Sequence, residues 1–364
     1  MAEDIYPHVY GKIGHLFKPA ILDESQVKEE YINLESPKVL QASKIRDDLV
    51  SIIEKVQLQC GIEANVLDAT QEQRGIFIQK LKSDSQWFES FRNILNLFDV
   101  DAAPEKVVQD INRPWWNALQ VNLSEDKYSP QEGYSFTGKV SHSFIAMLGD
   151  SVSKSKTLPK YNVQTKFQPV SIGNILLTSD NKIVLGYRGG QNFSDVIMVV
   201  PAGSAEPHLE RGAVWGSYDK EILEELKFTK KDYQSAELVG RATESLLARG
   251  GWHYWIFKTK TQMTSEQVKD YWLTAVDRKE HKHLEVYDAE PEKLLSLMKA
   301  KQWDIAKADQ KSMSKTTPEN KGTWLPQCSL CVLTPYVQQL GPKWARHAQD
   351  YLEGHYDLTS CFDK

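Results

Sequence analysis

Three glutamates fall close together in the run Lys220-Glu221-Ile222-Leu223-Glu224-Glu225-Leu226. On an α-helix, where each residue turns about 100°, Glu221, Glu224 and Glu225 share roughly a third of the circumference, and Ile222, Leu223 and Leu226 take the other side. Carboxylates spaced i, i+3 and i+4 repel one another unless a cation or solvent screens them. Oxygen-rich sites of this kind suit Mg²⁺ and Mn²⁺. A divalent metal is therefore the expected compensator, although the same spacing also describes a solvated charged face. Upstream, Val199-Val200-Pro201-Ala202-Gly203 ends an apolar strand in a turn, where glycine lets backbone groups approach the carboxylates closely.

The elements that must hold these residues read as short β-type runs separated by turns: GNILLTS, the turn DNK, IVLGYR, Gly189-Gly190 and VIMVVPAG. That grammar is an antiparallel-sheet signature. A helix is predicted over 217–228, followed by strand-like runs at 236–240, 252–261 and 284–288 and a helix over 291–301. Strands and helices interleave without a regular βαβ repeat, so the fold class is α+β or mixed α/β. The first 150 residues read as a mainly helical N-terminal domain, with helical periodicity at 41–59, 72–82 and 85–98. Leu49, Ile52, Ile53 and Val56 line one stripe; Trp87, Phe88, Phe91, Ile94, Leu95 and Phe98 line another. The stretch DSVSKSKTLPK (150–160) is a connector. Residues 306–364 form a C-terminal extension, a polar loop (306–322) and then a helical segment that packs back.

The strand ending in Pro201-Ala202-Gly203, Glu206 three residues later, and the helix K-E-I-L-E-E-L together resemble the Nudix hydrolase box, written G-x5-E-x7-R-E-U-x-E-E-x-G-U with U aliphatic. ILLTSDNKIVLGYRGG is similar to the hairpin that precedes the box. The resemblance spans residues 166–305 and implies a Nudix-like α/β/α sandwich there. It implies Mg²⁺- or Mn²⁺-dependent hydrolysis of a nucleoside diphosphate linked to another moiety, with metal-activated water attacking phosphorus. By that resemblance Glu224 and Glu225 are direct metal ligands, Glu221 is a ligand or the base-like residue beside them, and Gly203 contributes backbone contacts to the metal site. A further acid comes from a later loop, with Glu280 or Glu285 as candidates, and Arg188 and Arg249 meet a phosphate.

Three positions depart from the box. The residue eight before Lys220 is Gly212 rather than an acid, the nearest being Glu210, so the loop is longer by about three residues. Loops absorb such insertions at small cost. Lys220 stands where the box has arginine and loses the planar fork. Lys227 stands where the box has glycine, so it must either adopt a left-handed conformation or let the helix run one turn further.

Composition narrows the partners. The chain has 364 residues, with 44 Lys+Arg against 49 Asp+Glu and a formal net charge of -5, so no whole-chain basic field favours nucleic acid or an anionic membrane. The opening stretch MAEDIYPHVYGKIGHLF lacks the pattern of a secretory signal, and no apolar run is long enough to span a bilayer; a soluble cytoplasmic protein is the expectation. Cys328-x-x-Cys331 has only Cys361 and His355 as late partners for zinc, and two thiols without metal is the simpler reading. His281 and His283 could meet metal or phosphate, or sit in a polar loop. Trp115-Trp116 could stack on a base or pack a core. Two alternatives to the hydrolase remain: a Nudix-fold protein that binds a nucleotide or a protein partner without turnover, the N-terminal helices supplying the surface, and a diphosphate-handling enzyme with a non-nucleotide substrate.

Overall fold

The structure, a computed structural model, describes residues 11–32, 37–62, 69–97, 119–142, 168–189, 193–207, 209–244, 252–303, 318–352 and 356–357. In chain order its strands are β1 (Gly11–Ile21), β2 (Val27–Ile32), β3 (Leu119–Ser129), β4 (Gly133–His142), β5 (Val170–Leu177), β6 (Lys182–Arg188), β7 (Ile197–Val199), β8 (Ala202–Ser204), β9 (Tyr233–Glu244), β10 (Trp252–Thr261), β11 (His281–Asp288) and β12 (Tyr356–Asp357). Its helices are α1 (Pro37–Gln59), α2 (Gln71–Ser83), α3 (Ser85–Leu97), α4 (Gly212–Leu226), α5 (Ser265–Trp272), α6 (Pro291–Ala300), α7 (Pro326–Leu340) and α8 (Pro342–Tyr351). The fold class is mixed α/β of the α+β kind. None of the described helices is long and apolar enough to cross a membrane.

The chain divides into two compact units, one of residues 1–30, 123–137 and 169–364, the other of residues 31–122 and 138–168. In the first, a mixed sheet runs in the order β11-β6-β5-β10-β9-β1-β12, with β7 pairing β6 and β8 pairing β5. β5 lies parallel to β10, while β5 and β6 form the antiparallel hairpin read from the sequence. Seven of the eight residues of β5 are buried, as expected for a strand covered on both faces. Adjacent residues on a strand point to opposite faces. Gly173 abuts α7, where an added Cβ would lie 2.5 Å from the Cys331 sulfur. Asn174 faces the other way, its Oδ1 accepting from the Thr259 hydroxyl at 2.7 Å, which is in turn 2.7 Å from the Tyr218 hydroxyl of α4. Helices therefore cover the sheet on both faces, with α7, α6 and α8 on one side and α4 on the other.

In the second unit α1, α2 and α3 bury Leu49, Ile52, Val56, Phe77, Leu81, Trp87 and Phe91. The rings of Trp87 and Phe91 stack at 5.0 Å, and Thr70 caps α2 in a capping box with Gln73.

Several sequence expectations change. Residues 11–32 and 119–142, read as part of a mainly helical region, form β1 to β4. β2 carries the burial alternation of a half-covered strand, yet its sequence VKEEYI has too few apolar residues to register as one. α4 begins at Gly212, five residues before the predicted start. His281-Lys282-His283 is the first turnless stretch of β11 rather than a loop. Lys227 takes the left-handed option, at φ 60°, with its N–H donating to the Leu223 carbonyl at 2.9 Å. The connector at 150–160, Trp115-Trp116, Cys361 and His355 lie outside the described residues.

Candidate functional site

Helix α4 presents its carboxylates toward β8 and the start of β11. Glu225 is only 2% exposed, and both its oxygens have partners: Oε1 accepts the Ala202 N–H at 3.1 Å, and Oε2 lies 3.1 Å from His281 Nε2. His281 is itself buried, 4% exposed, and Gly186 makes room for it, since a Cβ there would overlap the imidazole. Glu221 lies against Gly203 so closely that a Cβ on that residue would coincide with the carboxylate. The expected Pro-Ala-Gly turn is instead a bend at Val200-Pro201 leading into strand β8, and that strand serves the carboxylate face in two ways, by a backbone donor at Ala202 and by the missing side chain at Gly203.

Of the other predicted residues, Glu280 and Arg188 reach the same place. Glu280 closes the short 3-10 turn Arg278–Glu280, its carbonyl accepting the Gly189 N–H at 2.7 Å, and its charge acts on both Glu221 and Glu225. Arg188 pairs with His281 in the β6–β11 register, and its positive charge acts on Glu225 and His281 while Nη1 contacts the Met198 sulfur at 2.8 Å. Glu285, the alternative late acid, instead hydrogen-bonds the Tyr287 hydroxyl and lies 3.4 Å from His283. Arg249 lies outside the described residues. Lys220, in the box-arginine position, is 2.5 Å from Glu206 and 3.9 Å from Glu224. The cation nearest the cluster on α4 is thereby committed to Glu206.

The electrostatics follow from this crowding. Burial raises the pKa of Glu221, with the Glu225 charge adding to it. Burial likewise raises Glu225, reinforced by Glu280, and raises Glu224 against the opposing charge of Lys220. Burial and the Arg188 charge hold His281 down to about 4, so its imidazole is neutral at pH 7. A carboxylate removed from water is costly unless paired or hydrogen-bonded, and here an excess of acid is gathered with little cation beside it. Among the described residues no group of three or more His, Cys, Asp or Glu side chains is already arranged to hold a metal ion.

His281 is the residue that sequence reasoning left undecided and the structure places in the site. Alternation extended backward from HLEVYD would put 281 on the opposite face; the register shift between His281 and His283 turns it toward the helix, and no local sequence signal announces that shift.

No family model and no curated protein matches the chain. Among solved structures, the chain is similar to the crystal structure of DR0079 from Deinococcus radiodurans, at 12% identity, over 46% of this chain and 83% of that one, with a TM-score of 0.31.

Proposed function

We propose that the cluster on α4 is a divalent-cation site of a Nudix-like α/β/α sandwich, and that the protein hydrolyses a nucleoside diphosphate linked to another moiety. The observation that carries this reading is the gathering of Glu221, Glu224, Glu225 and Glu280 near strand β8, where their mutual repulsion outweighs the opposing charges of Lys220 and Arg188. The donor set is all oxygen, which suits Mg²⁺ or Mn²⁺. Glu224, about one third exposed, and the half-buried Glu280 are the members of the cluster with room to turn toward an ion. When bound, the ion would neutralise diphosphate charge and lower the pKa of a coordinated water.

The chain's own residues divide the remaining work. Glu225 is held in one orientation by Ala202 and His281. Arg188 supplies positive charge beside the cluster for a phosphate oxygen, and Glu280, as a carboxylate, is the base that can take a proton from the attacking water. Purified protein with Mg²⁺ is expected to release phosphate-containing products from a panel of nucleoside diphosphate derivatives. Glu224→Gln with Glu225→Gln should abolish release and leave the circular dichroism spectrum native. Absence of turnover across the panel together with absence of Mn²⁺ binding by calorimetry overturns the proposal.

Two observations favour the second reading, a fold that binds a nucleotide or a protein partner without turnover: both oxygens of Glu225 already have protein hydrogen-bond partners, and the box arginine is a lysine engaged by Glu206. Thermal stabilisation by a nucleotide without hydrolysis would identify it.

A further inference from the structure

Helix α4 starts without a cap from its own sequence. Its first turn holds no acidic residue, and Arg211, just before it, makes no side-chain capping bond. The N–H groups of Ala213 and Val214 donate instead to the carboxylate of Glu29 on β2, at 2.8 Å to Oε2 and 3.2 Å to Oε1. Two otherwise orphaned donors are satisfied at once, and the negative charge meets the positive end of the helix dipole. Gly212 permits the approach. Its φ is +73°, and a Cβ there would lie 2.7 Å from the Glu29 carboxylate.

The same segment is fastened a second time. Arg211 pairs with Glu24, in the 3-10 turn Glu24–Gln26, and with Asp219 of α4 at 2.6 Å, and its guanidinium stands 5.1 Å over the Trp215 ring. That turn is itself fixed by Asp23, whose carboxylate accepts the Ser25 N–H at 2.8 Å.

An α-helix rises about 1.5 Å per residue, so the capped end lies roughly 18 Å from Glu225 along one rigid element. At the far end the tolerances are small, because Glu221 is pressed on Gly203 and Glu225 must reach both Ala202 and His281. A slide of the helix along its axis would undo all three contacts together.

We propose that Glu29 is a positioning residue for the carboxylate cluster: from a strand outside the segment resembling the Nudix module, it sets the axial position of α4 and so the cation affinity of the site. The inference rests on the cation-site reading above. It assigns residues 22–30 a part in the chemistry that nothing in their own sequence announces.

The test uses the full chain with Glu29→Ala and Glu29→Gln, followed by Mn²⁺ calorimetry and amide hydrogen exchange. Glu29→Ala is expected to keep a native circular dichroism spectrum and to bind Mn²⁺ on the order of tenfold more weakly, the size of change seen when a residue supporting metal ligands is lost. Glu29→Gln keeps one carbonyl acceptor and should fall between; it also serves if the alanine variant fails to fold. In both variants exchange should quicken at 221–226 as well as at 213–216. A lower melting temperature with wild-type Mn²⁺ affinity and wild-type exchange at 221–226 would overturn the proposal, leaving Glu29 a local cap. If the wild-type protein takes up no Mn²⁺, the cation reading fails separately, and exchange decides: quickening that reaches 221–226 supports positioning, and quickening confined to 213–216 overturns it.

Discussion

His281 Nε2 lies 3.1 Å from Glu225 Oε2, so a single proton joins a neutral buried imidazole on β11 to a buried carboxyl on α4. Replacing the imidazole with an apolar ring removes one of the two hydrogen-bond partners that Glu225 has. His281→Phe should cost about 1–3 kcal/mol, the usual penalty for a buried polar group left short of a partner. Urea unfolding measures the loss, and Mn²⁺ calorimetry on the same variant should show weaker binding because Glu225 is no longer held.

Gly203 sets the room available to Glu221. Gly203→Ala puts a methyl where the carboxylate now lies. Gly203 is not among the residues of positive φ, so the substitution should displace Glu221 rather than distort the strand. Calorimetric Mn²⁺ affinity should fall by about tenfold or more, while the melting temperature changes little.

A second buried polar group, away from the carboxylates, gives a cleaner pH signature. Burial, helped by the charge of Arg241, holds His253 down to about 4, against about 6.5 in an unfolded chain. Asp126 faces it with the opposite effect, and Lys12 adds to that of Arg241. Between those two pKa values the unfolded state binds the extra proton, so stability is full above about 6.5 and falls as the pH drops toward 4. From pH 7 to pH 5 the His253 contribution amounts to about 2 kcal/mol. Urea unfolding of His253→Gln at the two pH values should show a pH dependence shallower than the wild type by about that much.

Arg241 is held by Asp126 through two bonds, Nε at 2.6 Å and Nη2 at 3.0 Å, with His15 Nε2 at 3.2 Å from the same carboxylate. Burial works against its ionisation, but the His15 bond and the Arg241 charge win and keep it far below the usual carboxylate range. Asp126→Asn strands a buried guanidinium and should destabilise the fold by about 3–5 kcal/mol. Asp126→Leu combined with Arg241→Met should recover most of that in the same denaturation assay.

Lys227 is left-handed at φ 60°. Lys227→Gly removes a strain of about 1 kcal/mol and loses only the exposed 3.2 Å bond from Nζ to Thr274. A melting temperature raised by a degree or two, read calorimetrically, is the expected result.

The parts of this molecule that local patterning could reveal were those where one helix or one hairpin carries its own signal. The Glu221-Glu224-Glu225 face, the β5–β6 hairpin, the bend at Val200-Pro201 and the helices α1 to α3 all have periodicity or turn residues within a few positions. α5 has such a signal as well, the capping box Thr264-x-x-Gln267, which the sequence reading passed over. β1 and β2 do not, because Gly14, His15 and Pro19 interrupt the apolar alternation of β1 and the inward positions of β2 are Val27, Glu29 and Tyr31. The partnership of Glu29 with Ala213 spans 184 residues, and no window of sequence contains both ends of it. His281 was ambiguous for the same reason: its meaning depends on Glu225, which is 56 residues away.

Helix α7 is buried along all but its last three residues, with Cys328, Leu330, Cys331 and Val332 filling the face of the sheet formed by Val199, Tyr254 and Ile256. Those three residues of the face are all synthesised by Ile256, 70 residues before the helix begins at Pro326, while β12 of the same sheet follows the helix. Between those two moments the nascent chain carries an uncovered apolar face and an unfilled groove at Gly173, a state prone to association. The order of synthesis therefore makes α7, with α8 directly behind it, the pair whose arrival completes the cover of that face, and the interval before them the period in which a chaperone would have something to hold.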